Sequence, residues 1–84
     1  VIFWKSALKI ENVGRSDWPG GAATLNGRYS AHFGRVRQGS LIILHYEDFR
    51  AGDETFTAAN ETPRELVVAP DGEKPVVHKA RLQK

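Results

Sequence analysis

Between residues 12 and 56 the chain is a series of short runs of alternating apolar and polar residues, each broken by a tight-turn signal. A period of two puts successive side chains on opposite faces of an extended backbone, so this stretch predicts an antiparallel β-domain. The opening VIFWKSALKIENV carries Ile2, Trp4, Leu8 and Ile10 at even positions, with Lys5, Lys9 and Glu11 on the other parity. It predicts one long strand. Trp4, Ala7 and Leu8 also have helical spacing, but the β-branched residues and the polar Asn-Val-Gly exit favour the strand. GRSDWPGG then interrupts regular structure and sets Trp18 on a loop or strand edge.

Asn26 and Gly27 separate AATL from RYSAHF, and this residue pair best accommodates the positive φ angles of a type I′ hairpin turn. The hairpin directs Tyr29, Ala31 and Phe33 inward and Arg28, Ser30 and His32 outward. Arg35, Val36 and Arg37 predict a short strand extension that ends in a turn at Gln38 and Gly39. SLIILHY is continuously apolar, which predicts a strand buried on both faces or at a sheet centre. EDFRAGDETF predicts a polar loop pinned by Phe49 and Phe56 and bent at Ala51, Gly52 and Asp53. RELVVAP predicts a further strand, closed by Pro70 and an Asp71-Gly72 turn, and residues 76–84 predict a last strand or a frayed tail. Six or seven strands without an amphipathic helix predict one all-β domain over residues 1–84. A small antiparallel sandwich is the first expectation and a small OB- or SH3-like barrel the alternative.

Composition narrows what can hold such a domain together. Eighty-four residues suit one core with a thin margin of stability. Without cysteine, neither a disulfide nor a thiolate metal site can help. The core is therefore expected to rest on Phe3, Trp4, Trp18, Tyr29, Phe33, Tyr46, Phe49, Phe56 and the aliphatic runs. Methionine is absent even at position 1, so the true start and any anchor are expected outside this sequence. No run reaches the roughly 18 residues that would predict a transmembrane segment. The net charge of +2 is too small to imply nucleic acid by itself. Its distribution is uneven, about +4 over residues 1–42 and −2 over residues 43–84.

The ordered series N-V-G-R-S-D-W-P-G-G-A-A-T-L-N-G-R-Y, V-R-Q-G-S-L-I-I-L, D-F-R-A-G-D-E-T-F and E-L-V-V resembles the immunoglobulin-like β-sandwich modules of bacterial envelope and secreted proteins, over roughly residues 8 to 69. The resemblance implies an immunoglobulin-like sandwich with a non-enzymatic binding or spacer role outside the cytoplasm, and it supplies no catalytic residues. The chain departs from antibody-type domains in lacking their two cysteines.

Few side-chain groupings suggest chemistry. His45, Glu47 and Asp48 lie close in sequence, but strand alternation would separate them, so a metal or acid–base site would need His32 or His78 from elsewhere. Asp48, Asp53 and Glu54 form a weak candidate cation loop that lacks the ligand spacing of an EF-hand. Arg28, Arg35 and Arg37, interleaved with Tyr29, His32 and Phe33, suit carboxylate or phosphate contacts. Trp18 reads either as an exposed partner anchor or as a core plug. Asn60-Glu61-Thr62 fits the glycosylation pattern by chance, and no serine has a nucleophile setting.

The expected role is a non-catalytic protein-binding or scaffolding module, an accessory subunit of a larger membrane-associated assembly. It is expected on the periplasmic or extracellular side of the envelope, with the cytoplasm left open. It would take no cofactor, and its partners would be other protein subunits, contacted through Trp18, Arg28, Arg35 and Arg37. The alternative is a small barrel that binds nucleic acid through a basic strand carrying the same arginines.

Overall fold

The computed structural model describes residues 1–80 and arranges them as nine short strands and one 3-10 turn. The strands are β1 (Ile2–Phe3), β2 (Ala7–Glu11), β3 (Gly21–Leu25), β4 (Tyr29–Phe33), β5 (Leu41–His45), β6 (Arg50–Ala51), β7 (Glu54–Thr55), β8 (Glu65–Pro70) and β9 (Val76–Lys79). The 3-10 turn, Tyr46–Asp48, joins β5 to β6. A three-stranded sheet in the order β1-β2-β5 faces a six-stranded sheet in the order β7-β6-β4-β3-β8-β9, and every pairing is antiparallel. The molecule is therefore all-β and built as a small sandwich. Its two sheets remain separate, which removes the closed-barrel alternative. Residues 81–84 of the expected terminal strand or tail lie outside the described residues.

One core joins the sheets. Leu8, Ile10 and Leu44 of the smaller sheet pack in the same cluster as Leu25, Tyr29, Phe33, Leu66 and Val68 of the larger one. Burying each such side chain contributes about 1.5–3 kcal/mol, which is the main term opposing chain entropy in a domain this small. The inward set Tyr29, Ala31 and Phe33 is buried as the alternation predicts, while Ser30 and His32 are exposed. Phe49 and Phe56 anchor both ends of the β6–β7 hairpin in this core, and Gly52 at its tip takes a positive φ of 65°.

The β3–β4 hairpin turns at Asn26 (φ 54°) and Gly27 (φ 68°), the two positive angles that the pair was expected to supply. Its register sets Leu25 opposite Tyr29, so Arg28 joins the loop and three residues, not two, link the strands. The extra residue is accommodated because Asn26 is held from outside the hairpin. Its Oδ1 accepts from the Arg64 and Glu65 N–H groups, and its Nδ2 donates to the Thr62 carbonyl.

The first and fifth strands depart from expectation. Residues 1–11 form a hairpin and not one long strand: the Trp4 N–H donates to the Ala7 carbonyl at 2.8 Å, and β1 folds back to pair Ile2 with Lys9 and Phe3 with Leu8. This reversal moves Ile2 to the outer face and puts Phe3 against the core, while Trp4 is exposed and not a core residue. Local periodicity could not reveal it, because apolar residues recur at even positions on both sides of the turn, although the turn reverses which parity faces the core. The Tyr46 hydroxyl, donating to the Trp4 carbonyl at 2.7 Å, is a tertiary contact that favours the reversal. SLIILHY, expected on two buried faces or at a sheet centre, is an edge strand that pairs, among the described residues, with β2 alone. Leu41 and Ile43 project outward from it and are exposed.

Gly21 sits where β4 and β8 close in on β3 from either side. A Cβ built there would lie 2.6 Å from the Ala69 carbonyl oxygen, 2.6 Å from the Phe33 ring and 2.8 Å from the Pro70 Cα. Two of those atoms are backbone and cannot rotate away. Gly21→Ala is therefore expected to cost about 1–3 kcal/mol through overpacking, measured by urea unfolding. An unchanged midpoint would show that the strands can separate without loss.

Candidate functional site

The two sheets differ in width, and the mismatch opens a cleft along one side of the sandwich. In β9, Val76 pairs with Val68 and His78 with Leu66, so both share the inward face of those buried residues. The smaller sheet ends at β1 and does not cover them, and Val76 stays exposed beside the buried Val68. The opposite wall is Val1 and Ile10, continued by Val13, which is 87% exposed. Trp18 closes the floor. The cleft holds about 390 Å³, within the range of a binding pocket, and its rim carries Glu11, Glu73 and Lys74. Partial burial holds the His78 imidazole below its ordinary pKa, which favours its neutral form in this wall.

Asn12 shapes the near end of this cleft. Among the described residues it is the one buried polar residue, and its side chain makes three hydrogen bonds. Its Nδ2 donates to the Ser16 carbonyl at 2.9 Å and the Val36 carbonyl at 3.0 Å, and its Oδ1 accepts the Gly14 N–H at 3.0 Å. The backbone of Asn12 also pairs with Ser40 and Gly39. These contacts hold residues 13–17 against the Trp18–Val36 bridge, and so place Val13 at the rim. This role goes unread in the sequence, although an Asn two residues before a Gly is the signal of a side chain that caps its own turn.

The structure scatters the residues singled out from sequence. Trp18 is only 8% exposed and packs 6.0 Å from the Phe33 ring, so it is a plug in the core with one edge on the cleft. Arg28 lies at the β3–β4 turn, where it pairs with Glu54 and sits 5.1 Å over the Tyr29 ring. Arg35 and Arg37 lie beyond the other end of β4, on either side of the bridge residue Val36. At about 3.4 Å per residue, the length of β4 separates Arg28 from the other two by roughly 20 Å. The three arginines therefore form no single basic strand. Arg35 is paired with Asp17 at 2.9 Å, and the Gln38 N–H followed by Arg35 holds the Asp17 carboxyl below its usual range.

The acidic candidates are likewise apart. Asp48 accepts the His45 N–H within the 3-10 turn that replaces the expected strand end, Glu54 is engaged by Arg28, and Asp53 lies at an exposed hairpin tip. Among the described residues no three His, Asp or Glu side chains are grouped so as to hold a metal. The halves of unequal charge interleave as well, since each sheet takes strands from both. No helix among the described residues is long and apolar enough to cross a membrane.

Comparison with known proteins returns no match, whether to a protein family, a curated protein or a solved structure. The likeness to immunoglobulin-like modules rests on the order of sequence elements alone.

Proposed function

We propose that this protein is a non-catalytic binding module that engages another protein along the open side of its sandwich, as an accessory subunit of a larger assembly. The observation that carries this reading is the apolar cleft between the β1–β2 and β8–β9 walls. Val13 and Val76 are left in water there although each borders a buried core residue or its loop, and burying them would contribute about 1.5–3 kcal/mol each. Among the described residues β1 and β9 have one ladder neighbour apiece, so each also offers a strand edge to an extended partner segment. The lining is mostly apolar, with its charged groups Glu11, Glu73 and Lys74 at the rim, which gives a partner burial and favours binding over catalysis. An envelope location, on the periplasmic or extracellular side, follows from the likeness to immunoglobulin-like modules.

Photo-crosslinking in the native cells tests this reading. A photoreactive residue at position 13 or 76 is expected to yield the same discrete protein adduct, and one at exposed Arg64, off the cleft, is expected to yield none. Intact protein that forms no adduct from either cleft position would overturn the assignment. Adducts with nucleic acid, lost in Arg35→Ala/Arg37→Ala, would instead support the basic-surface alternative.

A further inference from the structure

The outer face of the three-stranded sheet carries a second pattern and meets the cleft at Glu11. Cross-strand pairing aligns Ile2, Lys9 and Ile43 in one row, and Glu11 with Leu41 in the next. Ile2, Leu41 and Ile43 are 44%, 45% and 48% exposed, although their strand neighbours Phe3, Ile42 and Leu44 turn into the core. Lys9 lies flat between the isoleucines: its side chain is only 19% exposed, and its Nζ reaches Glu11 at 2.9 Å. The Lys9 ammonium, as hydrogen-bond partner and as charge, holds the Glu11 carboxyl below its usual range. The face is thus an apolar patch with one positive and one negative charge, side by side on its central strand.

We infer that this face binds a second copy of the same chain, face to face about a two-fold axis that lies in the interface and runs across the strands between the two rows. That operation turns each strand antiparallel to its mate. Lys9 then meets Glu11 of the second copy, Glu11 meets Lys9, Leu41 covers Ile43, and Ile43 covers Leu41. A two-fold axis along the strands would instead bring Lys9 onto Lys9 and Glu11 onto Glu11. The charge pattern therefore selects one isologous arrangement and rejects the other. A partner of different sequence would have to reproduce both the charge order and the apolar order, whereas a second copy supplies them by symmetry. The axes of three strands span about 10 Å, and five residues about 14 Å. This face is well below the roughly 800 Å² per partner of a standard interface. The dimer is accordingly weak, driven by Leu41 and Ile43 and registered by the charges.

Sedimentation equilibrium across a concentration series tests this inference. Reversible dimer formation is expected in the high-micromolar range. Ile43→Glu is expected to abolish it while circular dichroism shows a folded chain. Lys9→Glu alone should lower the association constant about tenfold or more, and combining it with Glu11→Lys should restore it, because the exchanged pair is again complementary under the same symmetry. A monomer at all concentrations to about 1 mM, or a dimer indifferent to Ile43→Glu, would overturn the inference. So would a double exchange that fails to recover association while remaining folded. Position 13 and 76 crosslinks are independent of the Ile43→Glu outcome, since Val13 and Val76 border the cleft and Ile43 does not, whereas Glu11 belongs to both surfaces.

Discussion

Phe56→Ala is expected to remove about 3–5 kcal/mol of unfolding free energy, a large share of the roughly 4–13 kcal/mol available to a domain of this size. Phe56 is 2% exposed and lies between two tyrosines, edge-on to Tyr29 at 5.3 Å and tilted against Tyr46 at 5.4 Å. Its N–H donates to the Phe49 carbonyl at 2.8 Å, which fastens the far end of the β6–β7 hairpin to its beginning. Truncation would open a cavity where β4, the 3-10 turn and this hairpin meet, and backbone already tied at Phe49 cannot collapse into it. Both tyrosines would lose an aromatic contact as well. Urea unfolding measures the loss, with exposed Thr57→Ala as a variant expected to change little. A loss below about 1 kcal/mol would show that the three aromatics do not form one packing unit.

Asn12→Ala is the second large effect, expected at about 2–4 kcal/mol. The cost comes from what remains behind: the buried Val36 carbonyl loses its partner outright, and the part-buried Ser16 carbonyl and Gly14 N–H lose theirs beside it. An unsatisfied buried group costs more than the net value of the bond it lost. Asn12→Asp separates this explanation from simple loss of volume. The new carboxyl keeps the acceptor for Gly14 but faces two carbonyl oxygens, so its folded-state pKa is raised above the unfolded value near 3.9. Below that value the carboxyl is neutral and can donate one bond. As pH rises through it the penalty is expected to grow, and to level off above the folded pKa. Equal destabilisation of both variants at every pH would refute the hydrogen-bonding account. The loop that Asn12 secures holds Val13 at the cleft rim, so Asn12→Ala should also weaken the crosslink from position 13.

Several elements were legible residue by residue. Asn26 and Gly27 marked their turn because few other residues accept two consecutive positive φ angles. The parity of Tyr29, Ala31 and Phe33 identified their buried face, and Phe49 and Phe56 announced themselves as anchors by bracketing a polar segment. The β1–β2 hairpin was not legible, because the Tyr46 hydroxyl that holds Trp4 lies 42 residues away. The edge position of β5 was hidden for a related reason. LIIL is equally apolar whether a strand is covered on one face or on two, and only the sheet order β1-β2-β5 shows that its outer side is bare.

The candidate sites were less legible than the fold. Three arginines spaced closely in sequence suggested a shared surface, yet an extended strand carries its two ends far apart. Trp18 followed turn-forming residues and so read equally as anchor or plug, until its contact with Phe33 placed it in the core. The cleft has no local signature at all, since its walls are supplied by residues as distant in sequence as Val1, Ile10, Trp18, Val68 and Val76.

The sequence by itself determined that this chain is all-β, that a turn falls at Asn26 and Gly27 and which parity of β4 is buried, because backbone sterics and period-two burial act over a few residues. Only the tertiary structure decided which strands are edges, that the sheets leave one side open, and that Lys9, Glu11, Leu41 and Ile43 share a bare face. Those features depend on pairing between distant segments, and the same alternating pattern satisfies many pairings equally well.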